Sequence, residues 1–441
     1  MARLFGTDGI RGVAGTDLTP ELARGLGRAA VAVLGRHGAA QPPTFVVGRD
    51  TRASGEWLED ALTEGIVTAG GDVLLAGIEP TPAIAFMTVD LGASSGVVIS
   101  ASHNPADDNG IKFFSREGMK LPDHLEDEIE RELEGEVVSA GRRGRISATP
   151  EGREGYLRHL GSAADARLDG MRVVVDCANG AASEVAPAVL GALGADVIAM
   201  NDAPDGRNIN DGCGALHPEV VAAEVVRRGA DAGVSHDGDA DRALFADAAG
   251  NVIDGDQVLA ANALAMQERG TLKSDVVVGT VMSNLGLARA LRDAGIEFVQ
   301  TGVGDRYVLE EMERRGAVLG GEQSGHVIFR EHATTGDGLL TAVRFLSLAA
   351  LTGRSVGELA GAMHRYPQVM VNVPVGDRDR LADAAAVEEA IAETERALGD
   401  RGRVLVRASG TEPLIRVMVE AESEDEARRH ANMVASVVRG A

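Results

Sequence analysis

The chain has 441 residues, of which 44% are apolar, 25% charged and only 3% aromatic. Such a length and composition describe a globular protein of about three domains, with cores built from Ala, Val, Leu and Ile. A formal net charge of -24 excludes nucleic acid as the main partner, because duplex binding needs a basic face, but it leaves room for a small anion held by a local cluster of Arg and Lys.

The N-terminus carries Arg3, Asp8 and Arg11 among few apolar residues and does not read as a signal peptide. Phe5 to Gly12 holds three glycines and predicts an irregular loop. Thr19 followed by Pro20 predicts a capped helix to about Leu34. A strand over 44–47, a helix capped by Ser54, a strand over 72–75 and a short helix after Pro82 follow. Val97, Val98 and Ile99 then form an apolar run that ends in small, turn-forming residues around Ser102. A second apolar run, Ile111 to Phe114, contains Lys112. This alternation predicts an α/β layer with mostly parallel strands. Ser139 to Thr149, rich in Gly, Ser and Arg, reads as a linker.

The pattern restarts with strands over 172–176, 196–200 and 231–235, and a long Gly/Asn/Asp loop over 204–217. Cys177 and Cys213 fall in this stretch, far apart and without metal-ligand spacing, so a reducing cytoplasm is the simplest context. A third round has helices over 257–268 and 285–294, strands over 276–280 and 298–300, and a helix opening at Gly304. Leu339 to Leu351 is too short to span a bilayer and contains Arg344, so it reads as a buried helix and no membrane partner is expected. Beyond Tyr366 come strands over 369–375, 404–406 and 414–419, a helix over 381–398, and a last helix with Ser423 and Glu426 as its capping box. The expected organisation is three similar α/β domains, 1–150, 151–252 and 253–366, with mixed sheets, and a smaller α+β domain, 367–441.

Four stretches carry chemistry. Ser102 sits where a strand ends, the usual place for a ligand in an α/β sheet, with small neighbours that let a substrate approach its hydroxyl. Asp237, Asp239 and Asp241 alternate with Gly238 and Ala240. In an extended segment their carboxylates lie on one side at about 6–7 Å spacing, and a loop curls them closer. Three anions so placed call for a hard divalent cation, and Mg²⁺ suits few carboxylates completed by a phosphate oxygen. An EF-hand is excluded, because Arg242 takes the glycine position and Ala248 the glutamate position. Arg407, Ser409, Gly410 and Thr411, with Arg416 on the next strand, have the makings of a phosphate clamp. Gly321 to His326 gathers Glu322, Gln323, Ser324 and His326, a set able to hold sugar hydroxyls. For each stretch a solvated or tight turn is the plainer alternative.

Other signals fail. The glycines over 25–30 lie inside a helix rather than after a strand, so they are no dinucleotide fingerprint. Ser102 has no nucleophile elbow. Ser235, His236 and Asp237 are consecutive, and a strand would point them to alternate faces. A hydroxyl, a metal cluster and a phosphate clamp without a nucleotide motif point to phosphoryl transfer from the protein or a sugar.

At this point the chain resembles the α-D-phosphohexomutase family, and within it the glucosamine branch. The resemblance is carried by Gly6-Thr-Asp-Gly-Ile-Arg-Gly12, Ile99-Ser-Ala-Ser-His-Asn-Pro105, Asp237-Gly-Asp-Ala-Asp-Arg242, Gly321-Glu-Gln-Ser-Gly-His326 and Arg407-Ala-Ser-Gly-Thr411, in family order over essentially the whole chain. His236 departs from the apolar residue commoner in that branch.

The resemblance implies four domains around a central cleft and Ser102 carried as phosphoserine. Its phosphate oxygen would join Asp237, Asp239 and Asp241 on one Mg²⁺. A sugar monophosphate would be converted through a 1,6-bisphosphate, here glucosamine 1,6-bisphosphate between the 6- and 1-phosphates, in cell-wall precursor synthesis. Lys112 and His326 are the implied proton-transfer groups, and His103, Arg242 and Arg11 assist at the phosphate. Glu322 and Ser324 hold sugar hydroxyls. Arg407, Ser409, Gly410, Thr411 and Arg416 bind the phosphate that is not reacting. A homodimer, and a protein kinase or autophosphorylation that loads Ser102, are the remaining partner expectations. The competing readings are a phosphomannomutase/phosphoglucomutase, a metal-dependent sugar phosphatase and an inactive sugar-phosphate binder.

Overall fold

Short valine-rich runs form the sheets of the computed structural model, which describes residues 3–6, 8–37, 42–133, 135, 141–374, 385–408 and 414–440. The chain divides into two compact units, Met1–Val281 with Glu297–Gly361, and Met282–Ile296 with Ala362–Ala441.

The first unit holds three α/β layers. Its first sheet contains β1 (Ile10–Val13), β2 (Thr44–Arg49), β3 (Asp72–Ile78), β4 (Ser95–Ile99), β5 (Asp108–Phe114) and β6 (Ile146–Ala148), in the order β1-β5-β4-β2-β3-β6. The central strands β4, β2 and β3 run parallel, while β5 is antiparallel to both β4 and β1. Helices α1 (Pro20–Arg36), α2 (Ser54–Thr68), α3 (Thr81–Asp90) and α4 (Asp123–Leu133) belong to this layer. Thr19 caps α1 by accepting from the Leu22 amide at 3.3 Å, with Pro20 first in the helix.

Four local expectations need correction. The last three residues of the glycine-rich N-terminal loop are strand, because Ile10 to Gly12 pair with β5. Ser54 does not cap α2. Ala53 holds the cap position, and the Ser54 hydroxyl instead accepts from Asn109 at 2.8 Å. Helix α3 starts at Thr81, ahead of Pro82. The expected linker contains β6, which adds in parallel to the edge of β3. All three β6 residues are exposed, so this edge strand carries no apolar alternation to betray it.

The second layer comprises α5 (Pro150–Ser162), β7 (Arg172–Asp176), α6 (Ala182–Ala192), β8 (Asp196–Met200), α7 (Pro218–Arg228), β9 (Ala232–His236), β10 (Ala243–Asp247) and β11 (Val252–Ile253). Its sheet order is β11-β10-β9-β7-β8. The third comprises α8 (Gly255–Glu268), β12 (Val276–Thr280), β13 (Glu297–Thr301), α10 (Asp305–Arg315), β14 (Leu319–Gly321), β15 (Val327–Phe329), α11 (Gly338–Thr352) and α12 (Val356–Ala360); α9 (Leu285–Asp293) belongs to the second unit. Its sheet order is β13-β12-β14-β15. Buried α11 is the apolar segment noted above, and among the described residues no helix is long and apolar enough to cross a membrane.

In the second unit β16 (Gln368–Pro374), β17 (Arg403–Ala408) and β18 (Leu414–Glu420) form an antiparallel sheet in the order β16-β18-β17, with α13 (Ala385–Leu398) and α14 (Glu424–Gly440). Val373, Val387, Ile415, Val417 and Val434 build its core. The fold is thus three mixed α/β layers and a smaller C-terminal α+β unit. The first four residues of the helix expected over 381–398 lie outside the described residues.

Candidate active site

Strand β4 is wholly buried and delivers the chain to Ser102, which is 2% exposed and has φ 51°. A left-handed serine is costly, and the neighbouring groups hold it there. The Ser102 amide donates to Ser100 Oγ at 2.9 Å, and Ser100 Oγ donates to Asp50 Oδ2 at 2.5 Å. The Ser102 carbonyl accepts from Arg52 Nη2 and Asn210 Nδ2, each at 2.9 Å. The hydroxyl is thereby aimed at the aspartate loop. It donates to Asp237 Oδ2 at 2.6 Å and lies 3.2 Å from His103 Nδ1. Burial first, then Arg242 and Arg11, pushes the His103 imidazole down to about 4, so the ring is neutral near neutral pH.

Asp237 to Arg242 form the loop between antiparallel β9 and β10. Ala240 adopts φ 57°, which curls the loop, so carboxylate oxygens of Asp237, Asp239 and Asp241 all lie within 4.8 Å of one another. A side chain at Gly238 would meet the Ser102 carbonyl at 2.6 Å, so only glycine lets the two loops approach this closely. Thr81, the first residue of α3, donates its amide to the Asp239 carbonyl at 2.9 Å and its hydroxyl to Asp239 Oδ2 at 2.7 Å. Burial and then repulsion from Asp241 and Asp239 raise Asp237 well above the carboxylate range. Burial also raises Asp241, with Asp239 adding to it. Burial opposes ionisation of Asp239 too, but Lys112 and the Thr81 hydroxyl outweigh it and hold this carboxyl below its ordinary value. Asp239 Oδ1 and Asp241 Oδ1 are buried without a hydrogen-bond partner. Unpaired anionic oxygens in such a position are expensive unless a cation neutralises them, so this donor set fits a divalent metal.

Lys112 projects from β5 and is 3% exposed. Its ammonium lies 3.1 Å from both Asp239 Oδ2 and Asp8 Oδ2. Burial alone would lower it, but Asp239 and Asp8 dominate and push it up to about 12. Arg11 pairs with the same Asp8 carboxylate. Arg242 lies 3.8 Å from Asp241 Oδ1, and the Arg242 amide donates to Asp237 Oδ1 at 3.2 Å.

His326 precedes β15, is 3% exposed and has neither ring nitrogen hydrogen-bonded; Asp305 Oδ2 is 3.7 Å from its Nε2. Glu322 is half-buried, accepts from the Gly304 amide at 3.1 Å and has Ser324 Oγ at 3.5 Å. Gln323 turns the other way, toward Asp254 Oδ2 at 3.4 Å, and its carbonyl accepts from the Gly255 amide at 3.0 Å. It supports the loop.

Of the expected residues, Ser102, His103, Lys112, Asp237, Asp239, Asp241 and Arg242 meet directly. Arg11 joins them through Asp8. His326 faces Asp305. In the second unit, Arg407 and Arg416 stand opposite each other in register on β17 and β18. Burial first, then the Arg416 charge, lowers Arg407. Ser409, Gly410 and Thr411 lie outside the described residues. Sequence reasoning missed Asp50, Arg52, Thr81, Lys120, Asn210 and Asp305. The Asp50-Thr-Arg52 triplet, charged residues at the end of an apolar strand, was the one available signal.

Four family profiles match the chain in succession: phosphoglucomutase/phosphomannomutase alpha/beta/alpha domain I over residues 2–138, domain II over 154–250, domain III over 254–366 and the C-terminal domain over 370–437. The chain belongs to this phosphoglucomutase/phosphomannomutase family, the α-D-phosphohexomutases. It is 55% identical to a phosphoglucosamine mutase of Streptomyces griseus subsp. griseus, covering 100% of both chains. It is 54% identical to a phosphoglucosamine mutase of Mycolicibacterium gilvum, covering 99% of both. In structure it is similar to a phosphoglucomutase/phosphomannomutase family protein from Burkholderia thailandensis, with TM-score 0.84 and 26% identity, covering 99% of this chain and 97% of that one.

Proposed function

We propose that this chain is a mutase interconverting glucosamine 6-phosphate and α-glucosamine 1-phosphate through phospho-Ser102 and glucosamine 1,6-bisphosphate. The chemistry is carried by one observation: the Ser102 hydroxyl donates at 2.6 Å to Asp237 within the three-aspartate cluster. The choice of sugar is supported by full-length identity to phosphoglucosamine mutases at 55% and 54%. Two buried free cysteines, Cys177 and Cys213, are in keeping with a reducing cytoplasm.

Ser102 lends its phosphoryl group to the free hydroxyl of the sugar monophosphate. The bond from phosphorus to Ser102 Oγ breaks, the bond to the sugar oxygen forms, and the hydroxyl proton passes to a base. The other phosphoryl group then returns to Ser102, and its sugar oxygen regains a proton. Lys112 and His326 are the candidates for these proton transfers. Arg242, His103 and Arg11 surround the phosphoryl group with donors and positive charge. Glu322 and Ser324 present acceptor and donor groups to sugar hydroxyls, and the paired guanidiniums of Arg407 and Arg416 take a substrate phosphate. Asp237, Asp239 and Asp241, with an oxygen on Ser102, would hold Mg²⁺, which supplies charge neutralisation at the transferring group. Phosphoryl transfer is largely positioning plus such neutralisation.

The test is phosphorus-31 NMR of glucosamine 1-phosphate with the phosphorylated enzyme and Mg²⁺. Growth of glucosamine 6-phosphate is the expected result. Release of inorganic phosphate would make the chain a phosphatase. A specificity constant for glucose 1-phosphate equal to or above that for glucosamine 1-phosphate would move it to the phosphomannomutase/phosphoglucomutase branch.

A further inference from the structure

The two proton-transfer candidates come from different layers of the first unit, Lys112 from β5 and His326 from the loop before β15. A continuous series of charges joins them. Asp8 Oδ2 lies 3.1 Å from Lys112 Nζ, and Asp8 Oδ1 lies 2.7 Å from Lys120 Nζ. Lys120 Nζ is also 2.7 Å from Asp305 Oδ2, the oxygen 3.7 Å from His326 Nε2. We propose that Lys120 is a positioning residue for phosphoryl transfer, its one ammonium fixing both the Asp8 carboxylate that seats Lys112 and the Asp305 carboxylate that faces His326.

The local fold explains how Lys120 reaches this place. After β5 the chain makes a tight turn, in which the Ser115 amide donates to the Met119 carbonyl at 2.6 Å, and Lys120 comes back opposite Phe114. Lys112 and Lys120 therefore sit on the two arms of one hairpin. Asp305 arrives from the third layer as the first residue of α10, its Oδ1 accepting from the Arg306 amide at 2.8 Å. A lysine suits the junction because a compact ammonium offers three donors to carboxylates on different sides. Burial opposes its charge, but Asp305 and Asp8 outweigh it and hold it above the ordinary lysine value.

Lys120, Asp305 and His326 all line one cavity of about 190 Å³, so loss of the Lys120 ammonium leaves the Asp305 carboxylate room to move. Removing the ammonium takes away the one cation shared by Asp8 and Asp305, so Asp305 loses its ion pair, the two carboxylates repel, and Asp8 is left to Lys112 and Arg11 alone. Lys112 and His326 then lose their settings together. A purely structural ion pair between layers would instead show its loss as lower stability, or as a general weakening of substrate binding.

This inference rests on the mutase reading, and the experiment separates the two. Full-length wild type, Lys120→Met and Lys120→Arg are phosphorylated on Ser102, and single-turnover transfer is measured to glucosamine 1-phosphate and, separately, to glucosamine 6-phosphate. In Lys120→Met both rate constants should fall about tenfold or more while KM changes by no more than about threefold, the pattern of lost positioning rather than lost binding. Lys120→Arg should restore both. Unchanged rates, a loss confined to one acceptor, or no rescue by arginine would overturn the role of Lys120. Should Lys120→Met not fold, Lys120→Gln is read by the same criteria. Wild-type enzyme that transfers to neither acceptor would instead remove the mutase reading itself.

Discussion

Arg52 Nη2 donates to the carbonyl of Ser102 at 2.9 Å, and each of the other guanidinium donors also has a partner on the same loop or on Asp50. Nε reaches Asp50 Oδ2 at 2.9 Å, Nη2 also reaches the Asn104 carbonyl at 2.9 Å, and Nη1 meets the carbonyls of Pro105 and Asp108. Arg52 and Asp50 are both wholly buried. A rigid five-donor fork thus sets the path of the loop that presents the nucleophile.

Arg52→Met should therefore cost both stability and turnover. Breaking a buried, hydrogen-bonded ion pair from one side leaves the other charge uncompensated, a loss of about 3–5 kcal/mol. Denaturant unfolding should show the midpoint falling by that equivalent. At temperatures where the variant stays folded, kcat should drop because Ser102 is no longer held at φ 51°. An unchanged midpoint would mean that the loop supports itself.

Asp239→Asn should raise the Mg²⁺ concentration needed for half-maximal activity. Asp239 Oδ2 is engaged by Thr81 and Lys112, which leaves Oδ1 for the cation. An asparagine oxygen satisfies the two donors, and the amide NH₂ then faces the cation and cannot ligate it. Loss of affinity of about 10–100-fold is expected, as for other damaged metal shells. Ca²⁺ should replace Mg²⁺ poorly, because it prefers more ligands in looser geometry. Titration calorimetry with Mg²⁺ alone gives the readout, and equal affinity in variant and wild type would refute the assignment.

The pH dependence of stability should carry a contribution from Asp337. This carboxyl caps α11, accepting from the Leu340 amide at 2.9 Å and from Tyr156 Oη at 2.8 Å. Burial leads the causes that push it up to about 6 from 3.8. The folded chain therefore holds this proton more tightly than the unfolded chain. The resulting stability is present in acid and is lost as pH rises through 6. Asp337→Asn keeps the acceptor and removes the titration. Between pH 4.5 and pH 7.5 the stability difference should shift in favour of the variant by about 2 kcal/mol. Urea unfolding of both proteins at the two pH values would show it, and a constant difference would contradict it.

The site was legible where chemistry is local in sequence. Three alternating aspartates, a serine at a strand end and a lysine ten residues on are read from neighbours along the chain, and the fold brings them together as spaced. Arg407 and Arg416 were legible too, since adjacent antiparallel strands place them opposite each other. Arg52 was not, because its meaning lies in four carbonyls some fifty positions later. Lys120 and Asp305 sit in different layers and acquire a role only when those layers meet. The β6 strand was hidden because its residues are exposed and its pairing is purely backbone.

A last consequence concerns Gly336, which no pattern in the chain singles out. A Cβ there would lie 2.3 Å from His326 Nε2, 2.4 Å from Cε1 and 2.5 Å from Cδ2. The glycine therefore forms one wall of the slot that holds the imidazole. Gly336→Ala must push the ring away from its place beside Asp305, and His326 is too buried to swing into solvent. If His326 transfers a proton, a displacement near 1 Å should lower kcat by about a hundredfold. Overpacking should also cost about 1–3 kcal/mol of stability. Gly161→Ala is the control, since a Cβ at Gly161 meets nothing within 4 Å. That variant should keep wild-type kcat and be neutral or slightly more stable, as helical glycine-to-alanine changes are at open positions. Steady-state kinetics and thermal unfolding of both variants decide the matter. A Gly336→Ala enzyme with wild-type kcat would show that the position of His326 is not critical to the reaction.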